Sequence, residues 1–481
     1  MAGMKSEKTE VWVYSIEEHS LVRIQTEGDP EQYHTNLSWS PDAEKIYIQH
    51  LNRDQDTMVM KSYRVDTGEM TDVLFTEYDD KYVEPLNPVV FSGKSQGDFF
   101  YQSNRNGYNH IYYYNANKDT LERITRGTWE VTEFLGFDTT ECYVYFVATK
   151  DSSLERHCYR IDRKSDSITR LTANQGTHDV LFNKNMTHFI DKYSNYIVSN
   201  KISVCKNNGK VVQELLDSEN PVAGYKLGKV EIGTMLAADD NTELYYRLVK
   251  PADFDTSLQY PVLIYVYGGP HVQLITNSWM DRIDYFQQYM AQKGFVSFTL
   301  DCRGSGNRGR DFEDVIHRQL GVPQLDDHMV GLAFLKSLPY VDTTRIGVHG
   351  WSFGGYMTIS MMLSFPGSFK VGVAGGPVID WKYYEIMYGE RYMDTPDENP
   401  LGYELTNLTN YAKDLKGDLL IIHGAIDPVV VWQHSLVFLQ ACIENGVYAD
   451  YFIYPLHEHN VRGKDRVHLT TLISEYFLER L

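Results

Sequence analysis

Four copies of one short β-hairpin recur along the first ~215 residues, and that repeat constrains the fold more than any other feature. The copies are VWVYSIEEHSLVRI from Val11, SYRVDTGEMTDVL from Ser62, IYYYNANKDTLERIT from Ile111 and CYRIDRKSDSITRLT from Cys158, spaced 51, 49 and 47 residues apart. Between them lie strand pairs of a second type: LSWSPDAEKIYI from Leu37, PVVFSGKSQGDFFY from Pro88, FLGFDTTECYVYF from Phe134 and DVLFNKNMTHFI from Asp179. Each alternates apolar and polar residues around an Asp, Gly, Ser or Asn turn, the pattern of an antiparallel meander. A period near 50 residues with four strands per unit fits the blade of a β-propeller, and counting gives about four blades after a leading strand pair.

The pattern changes near Lys226. After a hairpin (KLGKVEIGTML and ELYYRLVKP), near-continuous apolar strands alternate with helical stretches. PVLIYVYG, FVSFTLD, RIGVHG, VGVAGG, DLLIIHG and ADYFIYP read as strands, and SWMDRIDYFQQYMAQKG reads as an amphipathic helix with a glycine stop. Strands of that kind separated by helices imply a parallel sheet covered on both faces. The expected fold is therefore all-β plus α/β: a partial β-propeller over residues 1–218 and an α/β domain over residues 219–481.

The strand RIGVHG runs directly into Gly350-Trp351-Ser352-Phe353-Gly354. A GxSxG between an apolar strand and a helix is the nucleophile elbow of an α/β-hydrolase. It puts a serine on a tight turn whose neighbours must be small, a need met by Gly350, Gly354 and Gly355. A serine hydroxyl needs a base to take its proton, and the base needs an acid to orient it. In hydrolase order these follow at the ends of later strands. Asp427 follows DLLIIHG, and His459 follows ADYFIYP, with His457 as its competitor. A His-Glu-His metal site at 457–459 has no further ligand cluster to complete it. Of the two oxyanion donors, one is expected from the backbone N–H of Phe353 and the other from the loop Tyr267-Gly268-Gly269-Pro270.

With elbow, repeat and loop together, the chain resembles the prolyl oligopeptidase clan, specifically the dipeptidyl-peptidase IV family. The matching segments are VYGGP, DCRGSGNRG, GWSFGGYMT, WKYYEIMYGERYM and HGAIDP. The resemblance implies a serine exopeptidase that releases N-terminal dipeptides after Pro or Ala, without a cofactor. It implies Tyr267 as oxyanion donor and His459 rather than His457 as base. It also implies a flat aromatic pocket for proline built from Trp381, Tyr384 and Tyr388, with Val378 and Val430 as walls. Trp381, Tyr384 and Tyr388 are spaced to share one face of a helical turn. The resemblance further implies peptide substrates and a homodimer.

Two departures set this chain apart from the family pattern. The glutamate pair that holds the substrate's free amino group is not evident, since Glu130 and Glu133 of TWEVTEF match a later-blade motif. The asparagine of the Asp loop is replaced in Asp427-Pro428-Val429-Val430. Prolyl tripeptidyl peptidase and acylaminoacyl peptidase activity on the same fold therefore stay open, as does a truncated, catalytically impaired interaction protein.

The charge balance excludes other classes. A net charge of −20 repels nucleic acid. No window approaches the ~18 uninterrupted apolar residues that a membrane span needs. The five cysteines, Cys142, Cys158, Cys205, Cys302 and Cys442, show no metal or redox spacing. MAGMKSEKTE lacks the apolar stretch of a signal peptide. A chain missing N-terminal blades would also have lost an export signal, which makes a periplasmic or extracellular location the expectation for a longer form.

Overall fold

The computed structural model of this chain describes residues 1–93, 96–282 and 285–481. Four antiparallel four-stranded sheets follow one another over 33–78, 90–123, 131–170 and 177–217, preceded by the strand pair Trp12–Ser15 and Ser20–Arg23. The turns are built alike. Ser40 N–H bonds Lys45 O, Asp138 N–H bonds Tyr143 O and Asn183 N–H bonds His188 O, at 2.9, 3.1 and 3.0 Å. Ala43, Glu141 and Met186 take the left-handed position in these three turns. An Asx side chain braces each one, as when Asp138 Oδ1 accepts from Tyr143 N–H at 2.9 Å. The corresponding turn after Pro88 includes Lys94 and Ser95, which lie outside the described residues.

The seams between blades are buried because each sheet packs against its neighbours, while the last sheet leaves Leu181, Ile190 and the strand Val211–Asp217 exposed. Along Phe99–Ser103 and His110–Asn115 the alternation is visible residue by residue. Tyr101, Tyr112 and Tyr114 pack back onto Leu51, Met58 and Met60 of the preceding blade. Phe100, Ile111 and Tyr113 pack forward onto Trp129, Phe146 and Tyr159 of the next. Tyr145, Cys158 and Leu171 repeat the arrangement against Val180 and Phe189. The leading pair puts Val13 on Ile46 and Ile48. The period of two thus places aromatic rings at every inter-blade seam.

An eight-stranded sheet follows, from Lys229–Leu236 to Asp450–Tyr454. Its spatial order is 229–236, 243–250, 296–300, 260–265, 341–351, 371–375, 418–424 and 450–454. Each of the first two strands pairs antiparallel with the next, and from the third strand on all neighbours run parallel. Val262 and Ile264 face one core layer, while Leu263 faces the other. Leu419 and Ile421 likewise oppose Leu420 and Ile422. The expected helix over SWMDRIDYFQQYMAQKG is divided instead into a 3-10 turn at Trp279–Arg282 and a helix at Tyr285–Gln292. Ile283 and Asp284, which fall between them, lie outside the described residues.

Charges and amides join the propeller to the hydrolase. Buried Arg310, 8% exposed, donates to Asp314 Oδ2 at 2.7 Å and Tyr82 O at 3.0 Å, and pairs with Asp79 at 2.5 Å. Arg53 donates to both oxygens of Glu390, at 3.0 and 2.8 Å. Gln55 donates to Met387 O at 2.7 Å and accepts from Arg391 Nε at 2.9 Å. Removing one partner from a buried ion network leaves the others desolvated and unpaired. Arg310→Ala is therefore expected to cost about 3–5 kcal/mol in urea unfolding. Lys45→Ala, which breaks the exposed pair with Asp72, is expected to stay within about 0.5 kcal/mol. Equal losses from the two substitutions would refute this ranking.

Candidate active site

Strand Val341–Trp351 ends at Ser352, and helix Phe353–Ser364 starts one residue later. Ser352 has φ 61° and ψ −118°, a conformation that non-glycine residues adopt only under constraint. Its N–H donates to Gly375 O at 2.7 Å, and its carbonyl accepts from Tyr356 N–H at 3.0 Å. Three positions around it admit only glycine. A Cβ on Gly350 would lie 2.3 Å from Gly354 O, one on Gly354 2.3 Å from Val266 O, and one on Gly355 2.6 Å from Gly375 O.

Asp427 and His459 come from loops after two neighbouring parallel strands, Asp418–Gly424 and Asp450–Tyr454. Asp427 Oδ2 lies 2.6 Å from His459 Nδ1. Asp427 Oδ1 accepts from the N–H groups of Val429 and Val430 at 2.8 and 2.9 Å. The side chain of Asp427 is fully buried. Burial alone would raise its carboxyl. Hydrogen bonds from His423 and His459, the charge of His459 and the Val429 N–H outweigh burial and hold it well below the usual carboxylate range. His457 turns elsewhere, with Nε2 2.9 Å from Asp465 Oδ2. The two histidines of His457-Glu458-His459 therefore serve different carboxylates, and among the described residues no group of three side chains could hold a metal ion.

Ser352, His459 and Tyr267 line one cavity of about 380 Å³. Gly269 makes room for the Tyr267 ring, since a Cβ there would lie 2.5 Å from Tyr267 Cε1. The Tyr267 and Phe353 rings stand 6.3 Å apart, and burial raises the pKa of the Tyr267 hydroxyl. The Phe353 N–H is at the first turn of its helix, where the backbone donors have no intrahelical acceptor.

The aromatic group does not line that cavity, while Tyr267, which does, also packs against the core that holds Trp381. Trp381 lies 5.7 Å from Tyr384 and 6.1 Å from Tyr388 between ring centroids, and Tyr384 lies 5.1 Å from Tyr388. Val378 and Val430 are buried in the same core as Trp381. The expectation of one helical face is corrected here. Trp381–Tyr383 is a 3-10 turn, Tyr384 is extended, and the helix begins only at Ile386. The cause is Glu385, whose carboxylate accepts from Met387 N–H at 2.8 Å and Tyr388 N–H at 2.6 Å and so caps a new helix. The rings converge across this break.

Three supporting residues escaped the motif reading. Trp351 Nε1 donates to His459 O at 2.9 Å and pins the histidine loop. Buried His423 contacts Ser435 Oγ at 2.7 Å and Val430 O at 2.8 Å through its two ring nitrogens, with Asp427 Oδ2 at 3.4 Å. His434 Nδ1 accepts from Ile379 N–H at 3.1 Å, and burial lowers its pKa to about 4. The only sequence signal for His423 was its position, a polar residue at the end of the buried strand DLLIIHG.

Comparison with known proteins places this arrangement. Residues 1–199 match the family model described as dipeptidyl peptidase IV N-terminal region, and residues 282–481 match that of the prolyl oligopeptidase family. Human dipeptidyl peptidase 8 is 34% identical over 360 residues, 70% of this chain and 40% of the relative. A probable dipeptidyl-aminopeptidase B of Aspergillus oryzae is 30% identical over 96% of this chain and 53% of its own length. The chain thus spans about half or less of these curated relatives. Two solved structures align over all of it. One is a putative dipeptidyl aminopeptidase IV from Bacteroides ovatus, with TM-score 0.97, 44% identity and 71% of that chain covered. The other is Porphyromonas gingivalis dipeptidyl peptidase 4, with TM-score 0.94, 31% identity and 68% covered. From blades to elbow, then, this chain belongs to the dipeptidyl peptidase IV family of the prolyl oligopeptidase clan of serine peptidases.

Proposed function

We propose that this chain is a serine exopeptidase that releases N-terminal dipeptides after Pro or Ala. The observation that carries the reading is the 2.6 Å contact between Asp427 and His459, made at the cavity that Ser352 also lines. Asp427 orients His459 through Nδ1 and stabilises the imidazolium that forms. His459 Nε2 then takes the Ser352 hydroxyl proton as Oγ attacks the scissile carbonyl. The tetrahedral oxyanion is stabilised by the Tyr267 hydroxyl and the Phe353 N–H. His459 returns the proton to the leaving amine, the C–N bond breaks, and an acyl ester remains on Ser352. Water, deprotonated by His459, hydrolyses the ester and restores the serine. None of these steps calls on a cofactor.

Proline has no N–H and a compact ring, so a site selects it by flat apolar contact. Trp381, Tyr384 and Tyr388 supply such faces, with Val378 and Val430 behind them. The dipeptidyl names of the relatives support release of two residues. A homodimer belongs to the same proposal. It is supported by exposed Ile443, Tyr448 and Leu456 beside the edge strand Asp450–Tyr454, and sedimentation velocity at two concentrations tests it.

Four experiments test the enzymatic reading. A Gly-Pro chromogenic substrate should be cleaved in preference to its acetylated form; preference for the acetylated substrate would assign an acylaminoacyl peptidase instead. A fluorophosphonate probe should label the chain and lose its target in Ser352→Ala. His459→Ala should lower kcat by at least about 10³-fold, while His457→Ala, which removes the Asp465 pair and an edge contact with the Tyr454 ring, should keep most of it. The opposite ranking moves the base to His457. Tyr388→Ala should cut kcat/KM for Pro substrates more than for Ala substrates, a loss of roughly 1–3 kcal/mol of discrimination. A lowered Tm with an unchanged Pro/Ala ratio makes these rings core packing only.

A further inference from the structure

The segment that carries Tyr267 continues through Gly268, Gly269 and Pro270 to His271, and it is held to the propeller over much of its length. His271 stands at the centre of a line of alternating charges. Its Nε2 lies 2.9 Å from Glu84 Oε2, in the connection between the first two complete blades, and its Nδ1 lies 3.2 Å from Glu313 Oε2 on the hydrolase. The line extends at both ends. Glu84 Oε1 accepts from Arg391 Nη1 at 2.9 Å and from the Tyr392 hydroxyl at 3.2 Å. Glu313 Oε1 accepts from Asn307 N–H at 2.9 Å. The Tyr392 ring packs 6.2 Å from the imidazole, and Glu130 contributes a further carboxyl whose pKa is raised to about 8 by burial and by Glu313.

Further along, Gln273 Oε1 accepts from Arg156 Nη2 at 2.7 Å, and Gln273 Nε2 donates to Ser153 O at 3.0 Å. Asn277 N–H donates to Leu154 O at 2.7 Å, and Asn277 Nδ2 donates to Glu155 Oε1 at 2.7 Å. Two separate places on the propeller therefore hold the same hydrolase segment. From this pattern we infer that His271 is a positioning residue for catalysis, a charged strut through which the propeller fixes the loop that aims the Tyr267 hydroxyl.

Two physical arguments support the strut. His271 has φ 61°, a left-handed conformation costing about 1–2 kcal/mol for a residue with a Cβ, and such strain persists only where the surroundings over-determine it. The imidazole is also held as a cation. Burial favours its neutral form, but Glu84 and Glu313 outweigh burial and push its pKa up to about 11, while Glu84 is held down to about 2. A histidine whose folded pKa is raised contributes stability that is fully present below its ordinary value near 6.5 and lost only as pH rises through about 11. The strut is therefore charged throughout the neutral range. Tyr267 lies four residues away, across two glycines, one of them at φ 73°. Such a link transmits a shift of the His271 backbone to the ring it carries, and a misplacement near 1 Å costs up to about 100-fold in rate.

The inference rests on Tyr267 acting as the oxyanion donor, and a double-mutant cycle in the full chain separates the two ideas. Asn replaces His271 as a neutral residue that tolerates the left-handed position. His271→Asn is expected to lower kcat by about 10- to 100-fold with KM changed less than about threefold, since the oxyanion contact forms only in the transition state. In a Tyr267→Phe background the same substitution is expected to cost less than about threefold. Glu84→Gln, which keeps the shape and removes the propeller's charge, should lower kcat in the same sense. That variant decides the question if circular dichroism shows His271→Asn unfolded. Equal losses in both backgrounds, a loss confined to KM, or full activity in Glu84→Gln overturns the strut and leaves Tyr267 in place. No loss on Tyr267→Phe overturns the oxyanion reading and the strut with it.

Discussion

The left-handed turn at Ser352 is the constraint around which the catalytic half is arranged. A serine at φ 61° costs free energy by itself, so the surroundings must supply compensation and clearance together. The clearance comes from backbone: Val266 O and Gly375 O crowd so closely that Gly350, Gly354 and Gly355 cannot carry a side chain. The compensation comes from hydrogen bonds on both sides, to Gly375 and Tyr356. These contacts bring three neighbouring strand ends to one place. The loop of Tyr267 leaves one of them, and the Gly375 end lies beside the strand that leads to Asp427. One strained residue thus fixes where every other reacting group has to be.

Around that turn the electrostatics divide into two kinds. Asp427 is a buried carboxylate kept ionised by donors on both oxygens, which makes it a fixed dipole partner for His459 rather than a proton carrier. The charges at the propeller face are instead paired in chains, with Arg391, Glu84, His271 and Glu313 alternating in sign. Such a chain sets its inner members, Glu84 and His271, each between two opposite charges and ties elements from distant parts of the sequence. The first arrangement tunes a group that reacts. The second holds the backbone that presents such groups.

Much of this was legible in the sequence because it obeys periods and orders. The blades showed themselves through a repeat near 50 residues, and the alternation of Tyr101 against Phe100 is the period of two that the strands carry openly. The placement of Ser352, Asp427 and His459 after the strands Val341–Trp351, Asp418–Gly424 and Asp450–Tyr454 was readable because each follows an apolar run in hydrolase order. The break before Ile386 was not readable. Spacing places Tyr384 and Tyr388 on one helix, but Glu385 spends its carboxylate on two backbone N–H groups and starts the helix after Tyr384. The same limit hid Glu84, His271 and Glu313. No local pattern links an acid in a blade connection to a histidine beyond a glycine pair, and only the docked domains bring Glu84 within 2.9 Å of His271.

The contrast between the two kinds of seam explains what each does. Between blades the contacts are aromatic and aliphatic, as where Phe75 packs on Tyr101 at 5.2 Å and Phe100 stacks on Phe137 at 5.1 Å. Such burial is non-directional and contributes stability in proportion to area. Between propeller and hydrolase many contacts are charged and directional, through Arg310, Arg53, Arg391 and His271. Buried ion pairs add little net stability, because desolvation offsets most of their attraction. What they do impose is geometry, since a displaced partner leaves a bare charge in a dry place. A seam of this kind makes the two halves dock in one register or not at all. The loop of Tyr267 lies along that seam, so the register chosen by the blades is also the register of the proposed oxyanion donor.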